Sequence, residues 1–242
     1  MPKPRLRTVS KVDPPYPLGR FPRGFIFKLG AQIVYHLATS GQAELEGAEW
    51  ERLFAEAVGA KWKPSNVGLD DVVLGVCAWG AKTVKATKAS KQTKVRLISG
   101  RNSPGYSFPD TDLADPQEIG NSVLSIWNAR VESVRSKYSD LRTVVLIKSK
   151  ELSEFCVFET ETIRYPTDNY TWQRNAHRNL EAIEISTGIH RFTWQPHGSQ
   201  FTIIEQVPPN RACFRVRKPP RLDPEATLKA IGFDESWIEI VT

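Results

Sequence analysis

The sequence predicts a single α/β (α+β) domain, a central mixed β-sheet flanked by helices, and three observations lead there. Helical periodicity occurs early and again mid-chain, and short apolar, β-branched runs fill the rest. No repeat, low-complexity tract or linker divides residues 24–242. At 242 residues, 40% hydrophobic and 25% charged, the chain has the balance of a globular protein with a real core.

Residues 1–23 carry Pro2, Pro4, Pro14, Pro15, Pro17 and Pro22 among several Arg and Lys, which predicts an extended arm, not a packed element. A helix is expected over Phe25–Thr39, closed by Ser40-Gly41, and a second over Ala43–Val58, closed by Gly59. Strands follow at Val72–Leu74 and Val76–Val84, with Gly75 as the turn, and at Val95–Ser99. Asp115-Pro116-Gln117-Glu118 combines an N-cap, a first-turn proline and a capping-box acid. The long helix it opens has the stripe Ile119, Val123, Trp127, Val131, Val134 and Tyr138. Strands are expected at Thr143–Ile147, Phe155–Arg164, His190–Trp194, Phe201–Glu205 and Cys213–Arg217, then a short helix between Asp223 and Gly232.

Several classes are excluded or disfavoured. The longest apolar run, Val72–Trp79, falls far short of the roughly 20 residues that span a bilayer, and no secretory segment follows Met1, so a cytoplasmic location is expected. Cys77, Cys156 and Cys213 are an odd number, far apart and without CxxC pairs; this argues against disulfides and structural zinc and for three small core residues. Phosphate-loop, dinucleotide and Ser-His-Asp patterns are missing, and His36, His177 and His190 lack a partner pattern. The seven Trp read as core, with Trp194 partly exposed.

The net charge of +6 is unevenly spread: between Asp71 and Asp110 there is no acid, while Lys82, Lys85, Lys88, Lys91, Lys94, Arg96 and Arg101 lie there. Such clustering reads as a solvated face or as a surface for a polyanion. Asp71 opens a buried strand. Lys82 interrupts the next one, sharing a face with Gly80 and Val84, and a lysine there needs a partner. Glu51 borders the apolar stripe of its helix, three residues before Phe54 and seven before Val58, and Glu46 borders it on the other side. Two carboxylates and a lysine at a sheet edge suit divalent-metal phosphodiester hydrolysis. A plain Asp71–Lys82 ion pair is the competing reading, and Glu159 with Glu161 is a weaker alternative acid pair.

The segments Gly47–Gly59, Gly68-Leu69-Asp70-Asp71-Val72-Val73 and Ala78-Trp79-Gly80-Ala81-Lys82-Thr83-Val84-Lys85 resemble, in order, the PD-(D/E)xK nucleases, type II restriction endonucleases in particular. The likeness covers about residues 41–101. It implies a restriction-endonuclease-like fold, Mg²⁺ held by Glu51 and Asp71, and catalysis by Glu51, Asp71 and Lys82. Where the family carries an acid two residues before the lysine, this chain has Gly80, which is expected to leave room for Glu51. Asp70 against Asp71, and Glu46 or Glu161 against Glu51, stay open. The resemblance further implies double-stranded DNA as substrate, a homodimer on a palindromic site and a cognate DNA methyltransferase.

Candidate DNA contacts are Lys85 and Lys88 for the backbone, Arg101, Asn102 and Ser103 in one loop, and Gln195, His197 and Gln200 in a polar turn. Ordinary turns are the plain reading of both loops. A DNA-binding protein without catalysis and a repair or structure-specific nuclease are the rival functions.

Overall fold

The computed structural model describes residues 12–40, 44–64, 68–103 and 115–241. Within it the expected mixed α/β architecture is present, but the strands divide into two sheets instead of one. Helix α1 spans Phe25–Thr39 and α2 Ala48–Val58. The two-residue strand β1 (Lys61–Trp62) pairs with β2 (Val72–Leu74), which turns at Gly75 (φ 58°) into β3 (Cys77–Ala86). Strand β4 covers Lys94–Arg101, and α3, Pro116–Arg135, begins where Asp115 accepts hydrogen bonds from the backbone N–H groups of Gln117 and Glu118. Strands β5 (Asp140–Ser149) and β6 (Glu154–Glu161) follow. Next come β7 (Tyr170–Arg174), β8 (Leu180–Glu184), β9 (His190–Gln195), β10 (Gln200–Gln206) and β11 (Ala212–Arg215), then helix α4 (Pro224–Ala230).

The first sheet runs β1-β2-β3-β5-β6-β11 and the second β4-β10-β9-β8-β7. Only β3 and β5 pair in parallel, since α3 lies between them in the chain and returns it to the same end. Side-chain alternation along β3 sets the layers. Cys77, Trp79 and Ala81 face α1 and α2, joining Phe25, Trp50 and Phe54 in one core. Ala78 faces the opposite way, into a core of α3 and the second sheet built on Trp127, Trp172, Phe192 and Phe201. Val95 and Leu97 of β4 close a third cluster over Val145, Ile147 and Phe158. Short, less periodic β1, β7 and β8 are elements the sequence pattern does not announce. Tyr138, expected on the α3 stripe, lies beyond its end.

Three expectations are corrected. Residues 12–23 are not a free arm: Tyr16 is 6% exposed, and Phe21 stacks on Phe25 with ring centroids 4.2 Å apart. The aromatic residues between the prolines bury this segment as a strap; residues 1–11 lie outside the described residues. Trp194 is 1% exposed, and its Nε1–H donates to Asn102 O at 2.7 Å. Cys156 and Cys213 form a disulfide, because they stand directly opposite in the β6–β11 register, while Cys77 is a buried free thiol.

The disulfide closes a sequence separation of 57 residues. Reduction, or Cys213→Ala, is expected to cost about 2–4 kcal/mol through the gain in chain entropy of the unfolded state. Urea unfolding with and without dithiothreitol measures this, and a Cys213→Ala variant insensitive to the reductant identifies the bond responsible.

Candidate active site

The middle of β3 and the residue just before β2 bring Lys82 and Asp71 together. Asp71 lies one residue beyond the Val72–Trp79 pair, so its carboxylate projects beside the Gly80–Lys82 face of β3, and Ala81 N–H donates to Oδ2 at 3.4 Å. Its neighbour Asp70 turns the other way and pairs with Lys63 at 3.1 Å.

Burial pushes the Asp71 carboxyl up to about 6, and the negative charges of Glu51 and Asp70 add to this against the pull of Lys82 and the Ala81 N–H. Burial lowers the Lys82 ammonium, helped by the Arg130 cation, while Asp71 and Glu51 act to keep it charged. The Lys82 ammonium donates to Gly68 O at 3.4 Å. Among the described residues no direct Lys82–Asp71 ion pair closes, so the two attract across a gap. The plain Asp71–Lys82 ion pair, the competing reading of the sequence, is therefore not formed.

Glu51 belongs to the first turn of α2, and its negative charge is felt by both Asp71 and Lys82. Trp62 of β1 donates its Nε1–H to Glu51 Oε2 at 3.0 Å, which anchors the carboxylate beside the site. The reason given for Glu51 needs correction. Gly80 does not make room for a carboxylate: a Cβ there would lie 2.9 Å from Gly68 O and 3.2 Å from Leu69 Cα. The backbone of residues 68–69 fills that space, and the same carbonyl receives Lys82. The rival acids are engaged elsewhere. Glu46 pairs with Lys85 at 2.7 Å and with Lys148 at 3.3 Å, and Glu161 with Arg135 at 2.7 Å. Glu159 is buried among Tyr16, Trp79 and Arg142.

Arg130 of α3 is the residue that sequence reasoning missed. Its Nη1 donates to Ser99 O at 2.7 Å and to Asn102 Oδ1 at 3.0 Å, and its guanidinium lies 5.7 Å from the Trp127 ring centroid. Its charge helps to lower Lys82, and the charge of Asp71 in turn acts to raise Arg130 against the effect of burial. Gly100 (φ +104°) is required here, since a Cβ would meet Nη1 at 2.6 Å. The signal was present: Arg130 borders the α3 stripe three residues after Trp127, the same argument that selected Glu51.

Arg130 also joins the site to the candidate DNA-contact loops, which the fold brings to one end of the second sheet. Arg101 pairs with Gln200 across β4 and β10, and Asn102 N–H donates to Ser199 O at 2.8 Å. Arg101, Ser103 and His197 are exposed, and Gln195 and Gln200 half-buried. Asn102 is corrected: at 0% exposure it donates to Val123 O at 3.0 Å and receives Arg130, so it positions the arginine instead of facing outward. Residues 104–114 of this loop lie outside the described residues. The basic stretch divides. Lys85 is tied to Glu46, Lys88 is exposed, and Lys91, Lys94 and Arg96 line a cleft of about 460 Å³ with no carboxylate on its walls.

Among the described residues no three His, Cys, Asp or Glu side chains gather into a group able to hold a metal ion. Nor is any helix of the described residues long and apolar enough to cross a membrane. No family model, curated protein or solved structure matches this chain. What fold and site define is a mixed α/β domain with two carboxylates and two cations converging where a helix, a hairpin and two sheets meet.

Proposed function

We propose that this chain is a Mg²⁺-dependent endonuclease of the PD-(D/E)xK class that hydrolyses double-stranded DNA at a short sequence, as type II restriction enzymes do. The observation that carries this reading is the Asp71–Lys82 gap, within the electrostatic reach of Glu51 and Arg130, with Arg130 held by Ser99 and Asn102 beside Arg101. A restriction role implies a cytoplasmic enzyme working beside a cognate DNA methyltransferase.

The donor set fits Mg²⁺, which is commonly held by one or two carboxylates with water and substrate phosphate completing its shell. Asp71 and Glu51 would hold it; burial is the main cause of the raised Asp71 carboxyl, and the smaller part that comes from the charge of Glu51 is what a dication relieves. When bound, it polarises the phosphate and acidifies water. Lys82, its ammonium weakened by burial, orients the attacking water and takes its proton. Arg130 offsets the charge that grows on the phosphoryl oxygens, held in place by Ser99 and Asn102. Exposed Lys88 and the Lys91, Lys94 and Arg96 cleft hold flanking phosphates.

Incubation of mixed-sequence duplex DNA with Mg²⁺ is expected to yield discrete fragments, and EDTA to suppress them. Because Asp71 must lose its proton to bind metal and Lys82 must lose its own to accept one from water, the rate should rise with pH through about 6 and continue to rise, less steeply, until Lys82 is neutral. Absence of discrete metal-dependent fragments across many substrates overturns the reading. A second reading, a DNA-binding protein that does not cut, is favoured by one observation: backbone occupies the place of the family's second acid. Salt-sensitive DNA binding without fragments is its signature. Faster cutting of branched or mismatched DNA would assign a repair nuclease instead.

A further inference from the structure

We propose, on the basis of the DNA-cutting function stated above, that the β7–β8 hairpin reads base sequence, with Arg178 at its tip taking a guanine in the major groove. The strand register sets this hairpin among the candidate DNA-contact loops. Leu180 of β8 stands opposite Trp194 of β9, and Trp194 opposite Phe201 of β10. One residue further out, Gln195 pairs with Gln200 and Gln200 with Arg101, while Asn179, just before β8, is at the same level. Residues 175–179, residues 196–199 and the end of β4 therefore share one end of the second sheet. Five strands about 4.8 Å apart make that end roughly 19 Å wide, about five or six base pairs at 3.4 Å each.

The side chains there suit a duplex groove. Residues 101–103, 174–179 and 195–200 include no acid, and Arg101, His177, Arg178 and His197 are exposed. Acids return at the opposite end of the β7–β8 pair, at Asp168 and Glu184. Cations offer contacts to phosphates, while guanidinium and amide groups offer paired donors and acceptors to base edges. A two-stranded β-ribbon also fits the width of the major groove, and β7 is the outermost strand of its sheet.

The backbone singles out Arg178. Among the described residues only Leu152, Arg178 and Ser199 are non-glycines with left-handed φ, and the last two, at 60° and 52°, lie at the tips of these two hairpins. Arg178 N–H donates to Asn175 O at 3.0 Å and Asn175 N–H to Asn179 O at 2.9 Å, which closes a three-residue loop whose last position takes glycine by preference. Asn175 holds this turn. Its Oδ1 accepts from the N–H groups of His177 at 2.9 Å and Asn179 at 3.1 Å, and its Nδ2 donates to Glu181 at 2.7 Å. Among the described residues the Arg178 guanidinium has no hydrogen-bond or ion-pair partner. Arginine at a glycine position, adding nothing to the turn, points to a role outside the fold.

The test is selection of bound duplexes from a library of random central sequence by the full chain in EDTA, followed by sequencing of the retained pool. The parent is expected to enrich a motif that includes a required guanine. Arg178→Gly should lose that guanine preference, its affinity for the enriched duplex falling about 5–150-fold and that for a scrambled duplex less than about twofold. Arg178→Lys, which keeps the charge without the planar fork, should lose the preference and keep the parent's salt dependence. Glycine relieves the backbone, so Arg178→Gly should melt at or above the parent's temperature; a clear drop would assign Arg178 to the fold and overturn the proposal. A variant pool with the parent's motif overturns it and leaves the DNA-cutting function standing. Uniform weakening on every sequence, the mark of a phosphate contact, overturns it as well, as does a parent that retains DNA without a motif. A parent that retains no duplex overturns both.

Discussion

Lys82→Ala is expected to slow DNA cleavage by about 10²–10⁴-fold, the range for losing a positioned proton-transfer group together with its charge. Duplex binding, followed in Ca²⁺ or EDTA, should change by less than about twofold, because flanking phosphates are held by exposed cations elsewhere. The fold should survive. Lys82 makes its hydrogen bond to Gly68 O and closes no ion pair among the described residues, and burial already disfavours its charged form. Removing it therefore strips away a group that costs stability to bury. Lys150, exposed at the turn after β5, is the control whose alanine variant should cut normally. Cleavage by Lys82→Ala within about threefold of the parent would remove the lysine from the chemistry, and with it the main support for the nuclease reading.

Glu159→Ala is expected to destabilise the fold by about 3–5 kcal/mol, the cost of leaving a buried cation with a partner removed. Glu159 accepts from Tyr16 Oη at 2.7 Å, Trp79 Nε1 at 2.6 Å and Gly19 N at 3.1 Å, and pairs with Arg142 at 3.3 Å. Arg142 is itself 1% exposed and also held by Asp140 at 2.6 Å and by Tyr16 O. Deleting the carboxylate strands three donors and takes from a buried guanidinium one of its two carboxylate partners. Urea unfolding should show a lower midpoint at unchanged slope. Limited proteolysis should cut first within residues 12–23, the strap that Glu159 fastens. A loss below about 1 kcal/mol would mean that the strap does not depend on this cluster.

Helices were legible where local chemistry decides them. Phe25–Thr39 and the start of α3 at Asp115-Pro116 emerge as expected, because caps, prolines and 3.6-residue stripes act over a few residues. Val72–Leu74, the Gly75 turn and the strand carrying Lys82 were equally legible, since alternation and a left-handed glycine are local too. The short strands β7 and β8 were not. β7 is stabilised by its partners in β8, and β8 in turn by β9, pairings that no local window contains.

The residues that return to the site are a similar mixture. Asp71 and Lys82 could be singled out from the chain alone, because a charge inside an apolar run is visible without knowing what it touches. Their separation by a gap, the seating of Lys82 on Gly68 O and the anchoring of Glu51 by Trp62 were not visible, since each depends on segments that meet only on folding. Gly80 shows the limit most clearly. A missing side chain reads as room, yet only the packed structure shows that backbone fills it. The Cys156–Cys213 bond and the approach of Arg130 to Asp71 have the same origin. By itself the sequence determined the helices and the longer strands, their amphipathic faces and the candidate acid and base. Tertiary structure alone decided the two-sheet division, the strap, the disulfide and the second cation, because these are contacts between distant segments, set by register and packing and not by local preference.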